Sequence, residues 1–205
     1  MRSGGRLLPA AALAAVVALA HAALAPKIAS VDSFYHVGHA AHYAEHGLLD
    51  TSFPWATQSA IGDLGADLWW GFHVALIPFA AAGGVEDAIR AAGVVMTLLL
   101  GVTVWWILER HRVRAAGWWA VLFLVATPNV LYRYVMVRPH VLSLALGLLL
   151  VSVLARGRWW QALLVSAAIT WLHLGLFWMG PGLAAAFALV RGARAWGGRG
   201  DRDPA

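Results

Sequence analysis

Long apolar segments separated by short polar ones dominate this chain, and their lengths predict membrane-spanning helices. A helix needs about 20 mainly apolar residues to cross the hydrocarbon core of a bilayer. The apolar segments are residues 7–25, 91–108, 116–127, 141–154 and 159–190. The last is too long for one simple span and is interrupted by Gly180, Pro181 and Gly182, so we expect a hairpin of two short helices there. The pattern therefore predicts an all-α integral membrane protein with about six transmembrane helices.

The first apolar segment, residues 7–25, has two interpretations. It follows Arg2 and Arg6, as either a first transmembrane helix or a signal peptide would. The segment is rich in alanine, and the run Ala20-His21-Ala22 resembles a signal-peptide cleavage site. We expect the segment to be retained as a transmembrane helix, and its cleavage is the alternative.

Arginine is concentrated at the ends of the apolar segments, and this distribution predicts the orientation of the helices. The clusters are Arg2 with Arg6, residues 110–114, Arg156 with Arg158, and Arg191 with Arg194. Short loops rich in arginine stay on the cytoplasmic side of a membrane. All four clusters can be cytoplasmic in a chain that crosses six times with both termini inside. That arrangement requires residues 68–82 to form a juxtamembrane or re-entrant helix rather than a crossing.

Composition agrees with a membrane protein and excludes some other classes. Hydrophobic residues make up 61% of the chain, and its formal charge of +5 lies in clusters that indicate topology rather than a nucleic-acid-binding face. The absence of cysteine excludes disulfides and thiolate metal sites. We expect one polytopic domain over residues 1–190, whose first outer loop, residues 26–88, contains amphipathic juxtamembrane helices. Residues 191–205 are expected to be a disordered cytoplasmic tail.

The first outer loop is the strongest candidate for the functional region. Between Pro26 and Asp87 lie seven of the ten carboxylates of the chain, together with a single basic residue, Lys27. Ionisable groups are expensive beside lipid, so such a concentration at a membrane boundary indicates a site. Within the loop, residues 33–46 are expected to form a helix with Asp32 as its N-cap and Gly47 as its stop. Asp32 is therefore either a helix cap or a reactive carboxylate.

Histidines recur along the same predicted helix. His36, His39, Tyr43 and His46 share one stripe at 100 degrees per residue. The spacings of three and four residues between His39, His42 and His46 can place three imidazoles on one face, where they could bind a divalent metal ion. The alternative is a solvated helix face that is merely rich in histidine and alanine.

Several motifs resemble a known family of membrane enzymes. The loop reads Asp32-Ser33-Phe34-Tyr35-His36, then Gly47-Leu48-Leu49-Asp50, Phe53-Pro54-Trp55, and Asp67 with Phe72-His73. A later outer loop reads Arg133-Tyr134-Val135-Met136-Val137-Arg138-Pro139-His140. This order resembles the N-terminal part of GT-C glycosyltransferases, the superfamily of oligosaccharyltransferases and protein O-mannosyltransferases. Such enzymes transfer sugars from polyprenyl-phosphate carriers on the outer face of a membrane, which for this chain implies the plasma membrane of a bacterium or archaeon.

The resemblance implies roles for individual residues. Asp32 would be the catalytic or acceptor-binding carboxylate, with Asp67 as the second acid. A guanidinium group can donate two parallel hydrogen bonds to phosphate oxygens, so Arg133 and Arg138 would bind the carrier phosphate. Both could instead anchor lipid headgroups. The remaining substrate-binding candidates are Tyr35, His36, His73 and His140. Some members of the superfamily also use a divalent ion beside the catalytic acid.

The chain also departs from the family pattern. GT-C enzymes usually have more transmembrane helices, and several carry acidic residues where the second outer loop here has Arg138, Pro139 and His140. We therefore expect a truncated or incomplete enzyme, or a subunit that a partner completes. The competing interpretation is a non-catalytic membrane protein or transport subunit with a metal-binding, histidine-rich outer loop.

Overall fold

A computed structural model describes residues 4–24, 30–52, 63, 65–126 and 128–200 of the chain. Across these residues the regular structure is entirely helical. The helices are α1 (Gly4–Leu24), α2 (Val31–His46), α3 (Trp70–Ala80), α4 (Val85–Arg110), α5 (Ala116–Val125), α6 (Pro128–Val135), α7 (Pro139–Ala155), α8 (Trp159–Leu172) and α9 (Met179–Gly200), with a 3-10 turn at Leu174–Leu176. The prediction of an all-α protein is confirmed for this part of the chain.

Three helical segments of the described chain are long and apolar enough to cross a membrane. They are Arg6–Leu24, Val85–Arg110 and Leu174–Arg194. A fourth is added if α6 and α7, which are bent by 109° relative to each other, count as one span. The apolar helices α3, α5 and α8 have only 11, 10 and 14 residues. The predicted total of six crossings is not tested by these lengths and stays a prediction from the sequence.

The described members of the arginine clusters lie together at one end of the helices. Arg6 near the start of α1 forms an ion pair with Glu109 near the end of α4, with 3.1 Å between Nη2 and Oε2. Near the end of α7, the backbone oxygens of Leu154 and Ala155 accept hydrogen bonds from Arg191 at 3.0 and 3.1 Å. The end of α4 also lies beside the end of α7, because His111 is hydrogen-bonded to Ser152 at 2.9 Å. The segment that the sequence predicts to be the first outer loop, residues 26–88, follows the opposite end of α1 along the chain.

The first turn of α2 differs from the sequence prediction. The helix begins at Val31 with Ser30 as its N-cap, so Asp32 lies inside the first turn and is not the cap. A carboxylate in that turn still interacts favourably with the helix dipole. The predicted stop is confirmed, since Gly47 follows the last helical residue with φ of 102°, a conformation that favours glycine.

The C-terminal hairpin also turns at a different place from the predicted one. The break falls between α8 and α9, around the 3-10 turn Leu174–Leu176, while Pro181 lies in the first turn of α9. Proline is tolerated there because the first backbone N–H groups of a helix have no partner within the helix. α9 then continues to Gly200, so the expected disorder from Arg191 is wrong for these ten residues.

Close packing of α3 against α8 gives the first testable prediction. A Cβ atom placed on Gly71 would overlap the backbone oxygen of Trp171. We expect Gly71→Ala to lower the free energy of unfolding by about 1–3 kcal/mol, the usual cost of overpacking. The matched control is Gly38→Ala in α2, where a Cβ would meet nothing within 4 Å. Thermal unfolding in detergent should show the control at or above the wild-type midpoint, and equal midpoints for the two variants would contradict the packing.

Candidate functional site

Three of the four histidines of α2 face the rest of the protein. His36, His39 and His42 are buried in the face that packs on α3, whereas Phe34, from the predicted apolar face, is 46% exposed. Each of these imidazoles loses water on folding, so each needs polar partners within the fold. The partners of His36 come from α3 and from the segment that precedes it.

A chain of hydrogen bonds connects His36 to Asp67 through His73. The Nδ1 atom of His36 lies 2.7 Å from Nε2 of His73, and Nδ1 of His73 lies 2.5 Å from Oδ2 of Asp67. The side chains of His73 and Asp67 are 0% and 1% exposed. Since a carboxylate only accepts, His73 donates from Nδ1 and can accept at Nε2 from His36. This order leaves Nε2 of His36 as a free acceptor when His36 is neutral.

Asp67 is the centre of this buried network. Its Oδ2 atom also accepts a hydrogen bond from the Tyr43 hydroxyl, and its Oδ1 atom accepts one from the Trp69 backbone N–H, both at 2.9 Å. Burial alone would raise the pKa of Asp67, but the hydrogen bond from His73, followed by those from Trp69 and Tyr43, outweighs burial and lowers the pKa. Asp67 is therefore an ionised acceptor that is closed to solvent.

Two histidines of α2, His36 and His39, are held neutral. Burial, followed by the nearby His73, lowers the pKa of His36 to about 2. Burial likewise lowers the pKa of His39 to about 4. At neutral pH His36 is thus a hydrogen-bond acceptor rather than a cation. Burial and the charges of Asp67 and Asp32 raise the pKa of Tyr35 to about 12, so its hydroxyl keeps its proton.

The first turn of α2 is joined to the bend between α6 and α7 by two contacts. Asp32 forms an ion pair with Arg138, with 2.7 Å between Oδ2 and Nη2. Beside it, the Ser33 hydroxyl accepts a hydrogen bond from the backbone N–H of Val137 at 3.2 Å. The Asp32 and Arg138 side chains are 51% and 29% exposed, so this pair is open to solvent or ligand. The structure thus brings together two residues that the sequence placed in separate loops.

Four polar atoms near this pair are buried without a hydrogen-bond partner in the described part of the chain. They are Oη of Tyr35, Nε1 of Trp69, Nε of Arg138 and Nε2 of His140. The Trp69 ring contacts Tyr35 and His36, with centroid distances of 6.2 and 5.6 Å. Arg138 in turn lies close enough to His36 and His140 to act on both electrostatically. An unpaired buried polar atom costs about 1–3 kcal/mol, so this group is suited to a polar ligand.

Two further polar residues, Arg133 and His173, lie near this group of atoms. The side chain of Arg133 is exposed, and its backbone is hydrogen-bonded to His140. His173 lies beside Trp69, with 6.5 Å between ring centroids, and its Nδ1 is 3.4 Å from the Ser143 hydroxyl. Arg138, rather than Arg133, is therefore the arginine whose guanidinium reaches the Asp32 side of the site.

The predicted metal ligands do not converge. Among the described residues, no three His, Cys, Asp or Glu side chains are arranged to hold a metal ion. The Nδ1 atoms of His39 and His46 instead hydrogen-bond to backbone oxygens four residues earlier, at 2.9 and 3.2 Å. His42 stacks on His46 and lies 3.5 Å from Asp50. In the described chain, His36 belongs to the network around Asp67, whereas His39 and His46 hydrogen-bond to the backbone of their own helix.

Trp69 and Tyr43 are site residues that the sequence pattern did not single out. Tyr43 was placed on the histidine stripe, and its position one turn beyond His39 was the available signal for a shared partner. Trp69 stands in a pair with Trp70, a pattern that is typical of an aromatic belt at the lipid headgroups rather than of a site. The family motif Phe53-Pro54-Trp55 lies outside the described residues. No family model, curated protein or solved structure matches the chain.

Proposed function

We propose that this chain is a GT-C-type membrane glycosyltransferase, or a part of one, that transfers a sugar from a polyprenyl-phosphate carrier to an acceptor hydroxyl. The observation that carries the proposal is the Asp32–Arg138 ion pair, with 2.7 Å between Oδ2 and Nη2, beside a group of buried polar atoms without partners. A carboxylate and a guanidinium in contact are the two groups that this reaction needs. The carboxylate serves the attacking hydroxyl, and the guanidinium serves the departing phosphate.

The hydrogen-bonding character of the site fits an oxygen-rich ligand. Trp69 Nε1 and Arg138 Nε can only donate, and the protonated Tyr35 hydroxyl can donate as well. Neutral His36 adds a ring nitrogen that can accept a hydrogen bond from a sugar hydroxyl. Phosphate oxygens and sugar hydroxyls offer the complementary acceptors and donors. An indole ring beside such donors also suits the apolar face of a sugar.

The proposed step conserves atoms and charge. The acceptor oxygen forms a bond to the anomeric carbon of the sugar, and the bond from that carbon to the carrier phosphate oxygen breaks. The phosphate leaves with the electron pair and is stabilised by Arg138. The proton of the acceptor hydroxyl passes to Asp32. Asp67 acts as a positioning residue, because it is buried and fixes His73 and His36 rather than touching the ligand.

The direction of the site in the membrane follows from the arginine end of the fold. That end is cytoplasmic by the positive-inside rule, which puts α2, α3 and the α6–α7 bend on the outer face. The six crossings and a plasma-membrane location belong to the same proposal. A partner subunit would supply the acceptor-binding surface that GT-C relatives carry beyond their first helices. A divalent ion stays a prediction of the sequence alone.

The proposal is tested by replacing the proposed base. We expect Asp32→Asn to lower transfer by about 10²–10⁴-fold, the usual contribution of a positioned general base. The measurement is release of polyprenyl phosphate by the full chain in proteoliposomes, with a panel of short-chain polyprenyl-phosphate hexoses and pentoses as donors. The control is Glu45→Gln, since Glu45 is the exposed carboxylate at the other end of the same helix.

Two outcomes would contradict the proposal. The first is donor cleavage that is unchanged in Asp32→Asn while the protein remains folded. The second is an equal loss of activity in Asp32→Asn and Glu45→Gln, which would point to a general effect on α2. Specific loss in Asp32→Asn, with a wild-type unfolding midpoint, supports the assignment.

A further inference from the structure

A cavity lies at the arginine end of the fold, at the opposite end of the helices from the proposed transferase site. It has a volume of about 1220 Å³ and is formed by the start of α1, the end of α4, the start of α5 and the turn between α4 and α5. Four arginines line it, namely Arg6, Arg110, Arg112 and Arg114. A single carboxylate, Glu109, lines it as well, so these side chains give the cavity a net charge of +3.

The one carboxylate in this cavity is already engaged. Its Oε2 atom accepts from Arg6 at 3.1 Å, and its Oε1 atom accepts from Nε1 of Trp105 at 3.0 Å. Arg110 lies over the ring of Trp106, with 5.1 Å from its Cζ atom to the centroid. Arg110, Arg112 and Arg114 have no carboxylate partner within the described residues. Three positive charges around one cavity favour the binding of an anion there.

The turn holds these arginines in a fixed arrangement. Arg112 and Ala115 both have left-handed backbones, with φ of 57° and 56°. This conformation is unfavourable for residues other than glycine, asparagine and aspartate, and it persists where the surrounding packing determines it. Gly117 just beyond the turn packs against Pro9 of α1, which leaves no room for a side chain. The arginine side chains therefore project from a tightly packed corner.

An apolar cavity adjoins the arginine cavity at Val113, which lines both. It measures about 560 Å³ and lies between α4, α5 and α7. Its walls are side chains such as Ile107, Leu122 and Leu148, and its polar members His111 and Ser152 are hydrogen-bonded to each other. A charged space and an apolar space that meet at one residue fit the two parts of an amphiphile.

We propose that this corner binds an anionic phospholipid of the cytoplasmic leaflet. The phosphate would lie among Arg110, Arg112 and Arg114, and one acyl chain would occupy the apolar cavity beyond Val113. Guanidinium groups suit phosphate oxygens, and basic cavities between transmembrane helices on the cytoplasmic side bind anionic headgroups. The tryptophans Trp106 and Trp118, which also line the arginine cavity, suit the interfacial depth of such a headgroup.

The test compares two pairs of arginines in the full chain. One variant carries Arg112→Asn and Arg114→Gln, with asparagine chosen because it tolerates the left-handed backbone. The matched control carries Arg156→Asn and Arg158→Gln, in the next arginine turn, which does not line the cavity. Binding of phosphatidylglycerol is measured by native mass spectrometry of detergent-purified protein, with phosphatidylcholine and inorganic phosphate as comparison probes.

We expect the first variant to lose about tenfold or more in phosphatidylglycerol affinity, and the control to stay within about twofold of wild type. An Arg112→Lys and Arg114→Lys variant should keep most of the affinity. Equal losses in the two paired variants would overturn the proposal in favour of a diffuse charge effect. If the wild type bound phosphatidylcholine as tightly as phosphatidylglycerol, the site would not be an anion site. If it bound inorganic phosphate as tightly as phosphatidylglycerol, the ligand would be the free ion rather than the lipid.

Discussion

Asp67→Asn is expected to lower the free energy of unfolding by about 3–5 kcal/mol, because three buried hydrogen bonds share this charged acceptor and such bonds contribute about 1.5–3 kcal/mol each. The carboxylate accepts hydrogen bonds from His73, Tyr43 and the backbone of Trp69, and its side chain is 1% exposed. An asparagine of the same shape must direct an NH₂ group at one of these donors. The thermal midpoint in detergent should fall by about 10 °C, since 1 kcal/mol corresponds to about 2–4 °C in a chain of this size.

The matched control for this variant is Asp87→Asn. Asp87 forms an ion pair with Arg90 at 3.1 Å, but its side chain is 75% exposed, so its loss should cost less than about 1 kcal/mol. A double-mutant cycle adds a second check. Tyr43→Phe should destabilise the wild type but have a smaller effect in the Asp67→Asn background, because the shared hydrogen bond is already lost. Equal midpoints for Asp67→Asn and Asp87→Asn, or strict additivity in the cycle, would show that no such network holds α2 and α3 together.

Stability is expected to fall steeply as the pH is lowered from about 6.5 towards 4. Burial lowers the pKa of His36 to about 2 and that of His39 to about 4, whereas an unfolded histidine titrates near 6.5. In this window the unfolded chain binds protons that the folded chain does not. Stability is therefore lost on acidification, at up to about 1.4 kcal/mol per pH unit for each histidine. Below pH 4 the lowered pKa of Asp67 acts in the same direction, because its ionised form is the one that the fold stabilises.

The slope of stability against pH is the quantity to measure. His39→Gln should reduce the slope between pH 6 and about 4.5 by the equivalent of about one proton. Gly38→Ala, which removes no titratable group from the same helix, should leave the slope unchanged. The comparison uses slopes rather than midpoints, because the slope remains informative for a variant whose stability is lowered equally at every pH. Identical slopes in wild type and His39→Gln would mean that His39 is not held neutral by burial.

The helices could be predicted from the sequence because long apolar runs leave few alternatives in a membrane. Their ends were less predictable. The sequence predicts a start at Ser33 because Asp32 is a good N-cap, but the helix begins at Val31 and the Asp32 carboxylate pairs with Arg138 instead. The hairpin break was placed at Pro181 for the same kind of local reason, although the first turn of a helix accepts proline.

Within the candidate site, the residue types were predictable and most of their pairings were not. Asp32 and Arg138 are 106 positions apart, and only the packing of α2 on the α6–α7 bend brings them together. The metal prediction stays a prediction, because spacing does not determine where each ring nitrogen points. Spacing alone placed His39 and His46 on related faces of α2, but their Nδ1 atoms turn back to carbonyl oxygens of their own helix. Periodicity gives the face of a helix, whereas a ligand set also depends on where each ring nitrogen points.

The Asp32–Arg138 ion pair makes Asp32 an internal competitor for any anion that Arg138 binds. The carboxylate lies 2.7 Å from the guanidinium, in the place where a phosphate oxygen would bind. An arriving phosphate must displace it, so part of the binding free energy is used to break the pair, and the apparent affinity is reduced accordingly. The same displacement leaves Asp32 without its cation when the substrate is in place. Occupancy of the phosphate position and release of the carboxylate are thus one thermodynamically coupled event.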